Sequence, residues 1–333
     1  MIRAALLCLL VLLTACAPQA GAATTFPPAQ AGVALAVSAA LPPSLTPSAA
    51  ELEPLMQAVY TAYRDEADFV FIVANNASHP SGVAHYGSYQ PVRNDTRGLG
   101  MALFDAGARF GSRGPAARLQ GVMIFPSRDA ILYGPSLHEL AHRWGNDLVA
   151  SGDDGHFGFS SAGRQLGGFD ARTFQDLGGG TYQATSGQPG ARTFGLIANG
   201  GNSVPYSDVE LYAMGVIAPQ DVAPFQVADG ARWVDETRGT FTARSVRTVT
   251  AADLTAQHGP RQPDVRRSQK TFTVLTVLVD RELPSAADVQ AVQAAVAHLT
   301  QVGSDGDDRY FTFWEATRGL ADLRVLDAGA LRR

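Results

Sequence analysis

His138 and His142 stand four residues apart with Glu139 between them, in the run His138-Glu139-Leu140-Ala141-His142. On a helix, residues four apart share one face one turn apart, so both imidazoles can grip a single metal ion. Glu139 is rotated from His138 by about 100°. That leaves its carboxylate free to hold a water on the open side of such an ion. The set suits one Zn²⁺ per chain, because zinc accepts neutral imidazole and acidifies a water. The matching reaction is hydrolysis of a peptide bond, with Glu139 taking the proton of the attacking water and passing it to the leaving amine. A structural use of Glu139 competes with this. Ser136, three residues earlier, fits a capping box that would fold Glu139 back on the helix start. Pro135 works against that box, since Pro prefers the first helical position and would move the N-cap to Gly134.

Two histidines do not complete a zinc site. Gly145 is expected to end the helix, and the chain then turns back towards His156, fourteen residues after His142. His156 is the first choice as third ligand. Glu210, on a later predicted helix, is the alternative. Asp153 and Asp154 are further candidates that also read as turn residues. Tyr206, Tyr212 or Arg143 could stabilise an oxyanion. His79 and His85 sit in a long loop, His258 at a turn and His298 on an Ala-rich helix, and none is expected to be a ligand.

These groups need a scaffold. The chain has 333 residues, 46% hydrophobic and 17% charged, a composition for a globular fold with a sizeable core. Net charge is −5 with no dense cationic run, so no nucleic-acid partner is expected. Apolar spacing predicts a helix over 55–63. Short β-branched and aromatic runs predict strands over 68–74 and 119–125. The motif helix falls within 133–148. Residues 75–98 read as a long loop with room for an edge strand, and the glycine-rich 151–204 as long loops with few regular elements. A short helix follows over 206–216, a strand over 271–279 and a helix over 285–300; 310–314 reads as a last strand or a helix entry. The fold class is α+β, a mixed sheet packed on an active-site helix with long glycine-rich loops. One domain is expected over 51–333, with room for a C-terminal subdomain from about 240.

The N-terminus carries Arg3 and then an apolar core over 4–13 that is too short to span a membrane as a mature helix. The run Leu13-Thr14-Ala15-Cys16 resembles a bacterial lipobox. The resemblance implies a signal peptide over 1–15, cleavage before Cys16, acylation of that thiol and a lipid anchor in the cell envelope, facing outside the cytoplasm. Residues 16–50, rich in Ala, Pro, Ser and Thr, read as a flexible tether. Cys8, the only other cysteine, lies in the signal core, so no disulfide is expected in the mature domain.

The run HELAHRWG resembles the zincin superfamily of metallopeptidases. The resemblance implies that His138 and His142 are zinc ligands, that Glu139 is the general base, and that peptides or proteins are the substrates. Gly145 also matches the metzincin branch, but Leu148 stands where that branch places its third histidine. Met214, within residues 211–215, is the candidate for that branch's methionine turn. The likeness to bacterial envelope proteins of zincin type spans about residues 65–220. The competing expectation is a non-catalytic envelope lipoprotein that binds a partner or glycan and keeps a structural or relic zinc site. A serine hydrolase is disfavoured, because no G-x-S-x-G elbow is present.

Overall fold

The computed structural model describes residues 24–38, 47–78, 87–149, 155–304, 306 and 309–333. Cys16, His79, His85, Asp153 and Asp154 lie outside the described residues. In chain order the first elements are β1 (Ala34–Val37), α1 (Ala49–Ala62), β2 (Phe69–Ala74), β3 (Ser88–Pro91), β4 (Arg93–Asn94), β5 (Phe104–Asp105), β6 (Gly121–Phe125), α2 (Asp129–Tyr133) and α3 (Ser136–Gly145). Next come β7 (Gln175–Gly178), β8 (Thr181–Gln183), α4 (Asp208–Met214), β9 (Phe225–Asp229), β10 (Arg232–Asp235), β11 (Thr240–Thr242), β12 (Ser245–Val249) and α5 (Ala251–His258). The chain closes with β13 (Thr271–Asp280), α6 (Ala286–Leu299), α7 (Phe313–Ala316), β14 (Asp322–Val325) and α8 (Ala328–Leu331).

The main sheet runs β1-β13-β2-β6-β3, with β14 also paired to β13. β2, β6, β13, β1 and β14 are mutually parallel, and β3 is antiparallel to β6 at the edge. Parallel strands are buried on both faces and read as continuous apolar runs. Phe69, Phe71, Val73, Met123, Phe125, Val274 and Leu278 therefore face one core, with α3, α4 and α6. Val70, Ile72, Val122, Ile124, Leu275, Val277 and Val279 face the other, with α1. The sheet and helix arrangement is that of the expected α+β class.

Local signals explain the two covering helices. α1 starts at a capping box, where Ser48 N–H donates to Glu51 Oε2 at 2.7 Å, and buries Leu52, Leu55, Met56, Val59 and Tyr60 at helical spacing. α6 starts the same way from Ser285 and Asp288 and buries Val289, Val292, Val296 and Leu299. Among the described residues, no helix is long and apolar enough to cross a membrane.

Two expectations are corrected. Part of the stretch read as a tether enters the fold: Ala34, Leu35 and Ala36 are fully buried, and β1 pairs with the last four residues of β13. Small residues suit that position against α8, and their Ala-rich composition mimics a linker. No C-terminal subdomain separates after 240 either, since β13 is the hub of the main sheet and β14 its neighbour. The glycine-rich segment is also more ordered than its composition suggests. It contributes β7 and β8 to a second sheet, ordered β10-β11-β8-β7. There Phe159, Phe169, Phe194 and Phe241 form a small aromatic core with Tyr182 and Trp233 packed against it.

Leu35→Ala should therefore lower the unfolding free energy by about 2–5 kcal/mol, as a core truncation does. Urea unfolding of the two proteins measures it; an unchanged midpoint would return residues 33–37 to a tether.

Candidate metal centre

The motif helix is held at both ends. At its start, Asn202 Oδ1 accepts from Leu137 N–H at 3.1 Å, and Asn202 Nδ2 donates to the carbonyls of Ile131 and Leu132. Tyr206 donates its hydroxyl to the Leu137 carbonyl at 2.8 Å. Ser136 Oγ donates to the Ile131 carbonyl, so its hydroxyl does not cap the helix and Asn202 does that work from a distant loop. Glu139 is thereby left to the cleft. Towards its C-terminal end, α3 is anchored by the buried Arg143, which donates to Gln120 Oε1, Asn94 Oδ1 and Asp95 Oδ1. Trp144 packs edge-on against Phe69 and Phe272.

This fixed helix aims His138 and His142 at one point, where their Nε2 atoms lie 3.0 Å apart. Two nitrogens bound tetrahedrally at about 2.0–2.1 Å to one ion lie about 3.3 Å apart. His156 completes the cluster. Its ring stacks on His138 with centroids at 5.3 Å and stands edge-on to His142 at 4.9 Å. One ligand atom from each of the three lies within 4.8 Å of the others. His156 arrives because the chain doubles back after α3, and Phe157 N–H donates to the Leu166 carbonyl at 2.7 Å. Gly145 is the last residue of α3, and its role is close approach: a Cβ there would collide with Leu166 Cδ1.

Neighbouring acceptors set the protonation of the two helix histidines. His138 Nδ1 lies 2.6 Å from the Gln165 carbonyl, a pure acceptor, so Nδ1 carries the proton and Nε2 the lone pair. His142 Nδ1 is 2.6 Å from Asn146 Oδ1, with the same result. Burial pushes His138 down to about 4, helped by the neighbouring His156 and opposed by the Gln165 carbonyl. Burial and then the other two imidazoles push His142 well below its ordinary value, against the pull of Asn146. Two neutral rings thus turn lone pairs towards each other, a contact that a cation relieves. Metal-ligating histidines are held in this way, by a second hydrogen bond that fixes tautomer and ring plane. The residues present fit a metal ion.

Burial alone raises the Glu139 carboxyl to about 8. It lies in a cleft of about 620 Å³. Gly87, Ser88 and Tyr89, at the start of edge strand β3, form one wall, and Ile197, Ala198 and Gly201 form another. Gly87 is required by close approach, since a Cβ there would meet Pro135 Cγ and Glu139 Oε1.

The other sequence candidates have different duties. Glu210 is not the third ligand. It is buried, and its carboxylate accepts from the N–H groups of Ser207, Arg164 and Leu166. Burial raises its pKa while those N–H groups pull it back. Met214 forms no methionine turn; it is the buried last residue of α4, which Gly215 ends in the left-handed conformation. Tyr206 and Arg143 commit their polar atoms to the contacts above, and Tyr212 is buried in the main core. None of the three lines the cleft. His258 Nε2 meets the Leu148 carbonyl and His298 Nε2 the Tyr310 carbonyl, away from the cluster. Three positioning groups escaped the sequence reading. Asn146 carries a usable signal, four residues after His142 on the same face. The Gln165 carbonyl and Asn202 carry none, being brought in by long-range folding.

No family model, curated protein or solved structure matches this chain.

The raised Glu139 carboxyl has a stability consequence in the metal-free protein. Between its unfolded value of 4.5 and about 8, the folded state holds a proton that the unfolded state releases. Its contribution is therefore fully present below 4.5 and lost as pH rises through about 8. Metal-free Glu139→Gln should melt progressively higher than metal-free wild type across that window. Thermal melts at several pH values read it, and a difference that does not grow with pH would refute it.

Proposed function

We propose that the chain is a zinc-dependent peptide hydrolase of the zincin type, with His138, His142 and His156 as ligands and Glu139 as general base. One observation carries the reading: three imidazoles converge at one point beside a buried carboxylate that lines an open cleft. Three protein ligands with an accessible fourth position characterise catalytic rather than structural zinc sites. When bound, zinc supplies Lewis acidity, acidifying a water and polarising a carbonyl.

The chain's own residues do the rest. Asn146 and the Gln165 carbonyl hold two of the rings in the ligating tautomer. Glu139 takes the proton of the attacking water and returns it to the departing amine. The antiparallel edge strand β3 begins at the cleft wall, and an extended peptide can add to it by main-chain pairing, which favours a peptide substrate. The lipobox resemblance supports an activity in the cell envelope, on a lipid anchor at Cys16.

Wild type should take up one zinc per chain and hydrolyse unstructured peptides. Glu139→Gln should keep the zinc and lose about 10²–10⁴-fold in kcat, the range for removing a positioned base. Metal analysis and peptide cleavage assays decide it. A zinc-loaded wild type that cleaves no peptide in a diverse library would favour a non-catalytic envelope protein with a structural site.

A further inference from the structure

Glu210 does more than its helix requires. A capping box needs one carboxylate oxygen, and Glu210 Oε2 supplies it, accepting from Ser207 N–H at 2.7 Å. The second oxygen, Oε1, reaches across to another segment and accepts from Leu166 N–H at 2.7 Å and from Arg164 N–H at 3.1 Å. The Leu166 N–H belongs to the same peptide plane as the Gln165 carbonyl. In a trans peptide those two groups point in opposite directions. The Gln165 carbonyl is the group that accepts the Nδ1 proton of His138, at 2.6 Å. A buried carboxylate, one amide and a ligating imidazole therefore stand in line. The Gln165 side chain clamps the same plane from the side, donating through Nε2 to the carbonyls of Gly201 and Val204.

We propose that Glu210 is a positioning residue of the metal centre, acting on His138 through the peptide plane between Gln165 and Leu166. A carboxylate at the N–H end polarises the amide and makes its carbonyl a better acceptor, since hydrogen bonds in a chain strengthen one another. That holds His138 in the Nδ1–H tautomer and raises the basicity of Nε2. Many metal sites place a carboxylate directly on the ligating histidine; here the same influence crosses one amide. The proposal rests on the reading of His138 as a metal ligand.

Two variants and two readouts test it. Glu210→Gln keeps the size but removes the negative charge, so whichever way the amide turns, the Leu166 N–H loses its carboxylate and the relay is weakened or broken. Ser207→Ala removes the hydroxyl that caps Glu210 N–H and leaves Oε1 on the loop. In metal-free protein, imidazole ¹⁵N shifts report the tautomer of His138. Wild type and Ser207→Ala should show Nδ1–H alone, and Glu210→Gln a mixture. Zinc affinity by chelator competition should weaken about tenfold in Glu210→Gln, at the low end for outer-shell losses, and stay within about twofold in Ser207→Ala. Unchanged tautomer and affinity in Glu210→Gln, or equal changes in both variants, would overturn the proposal. Should Glu210→Gln not fold, His138→Ala reads the relay from its other end. Exchange of the Leu166 amide should then quicken while that of Ser207 does not, and equal rates would again overturn it. If wild type takes up no zinc, the metal reading fails, and the tautomer measurement still judges the relay by itself.

Discussion

The Nε2 atoms of His138 and His142 lie 3.0 Å apart, each with its lone pair turned towards the other, because both Nδ1 protons are committed to Gln165 and Asn146. Left to itself, such a pair would move apart or share a proton. Both escapes are closed. Burial disfavours protonation of either ring. Movement is blocked because α3 is tied by Asn202 and Tyr206 at one end and by Arg143 at the other. The site is thus preorganised for a cation, and much of the surrounding structure serves to keep it so.

The main sheet provides the rigid reference for that arrangement. Its parallel strands bury apolar side chains on both faces, so α3 packs on a surface that cannot easily shift. Arg143 extends the attachment in polar form. Its guanidinium meets Gln120, and Gln120 Nε2 in turn donates to Asp68 Oδ1 just before β2. A buried polar chain of this kind is stabilising only when its members are satisfied. Asp68 also accepts from Thr273 N–H and Oγ1 at the start of β13. One network therefore joins the histidine-bearing helix α3 to the neighbouring strands β2 and β13.

What was legible in the sequence follows from the range of the interactions. The i, i+4 spacing of His138 and His142 is a local, helical signal, and so are the apolar runs of β2, β6 and β13. These could be read directly. Strand β1 was not, because Ala-rich composition reads as a linker unless its partner strand, more than 200 residues later, is known. Glu210 stands as an alternative ligand in the sequence for a related reason. Its type and its helix suited a ligand, but three backbone N–H groups from its own cap and a distant loop occupy the carboxylate. Leu148 marks the same limit. It is fully buried in the main core, and the third imidazole comes instead from a longer excursion of the chain.

That excursion explains why so many glycines and buried polar side chains occur together between 155 and 210. The segment has apolar anchors, Phe157, Leu166, Phe169 and Phe194 among them, but the glycine-rich stretches between these anchors cannot be located by apolar interlock alone. They are located by matching individual backbone groups, and the buried partners include Ser160, Gln165, Asn199, Asn202 and Glu210. Asn199 donates to the Gly168 carbonyl and accepts from Gly195 N–H, while Gln165 grips the carbonyls of Gly201 and Val204. Each such bond is worth only about 0.5–1.5 kcal/mol net, yet a lost partner leaves a buried group unsatisfied at about 1–3 kcal/mol. The Gln165 carbonyl is held in this way, through the Leu166 N–H bond to Glu210 and its own contact with His138, while His156 is positioned by the neighbouring bond from Phe157 N–H to the Leu166 carbonyl and by its ring contacts with His138 and His142.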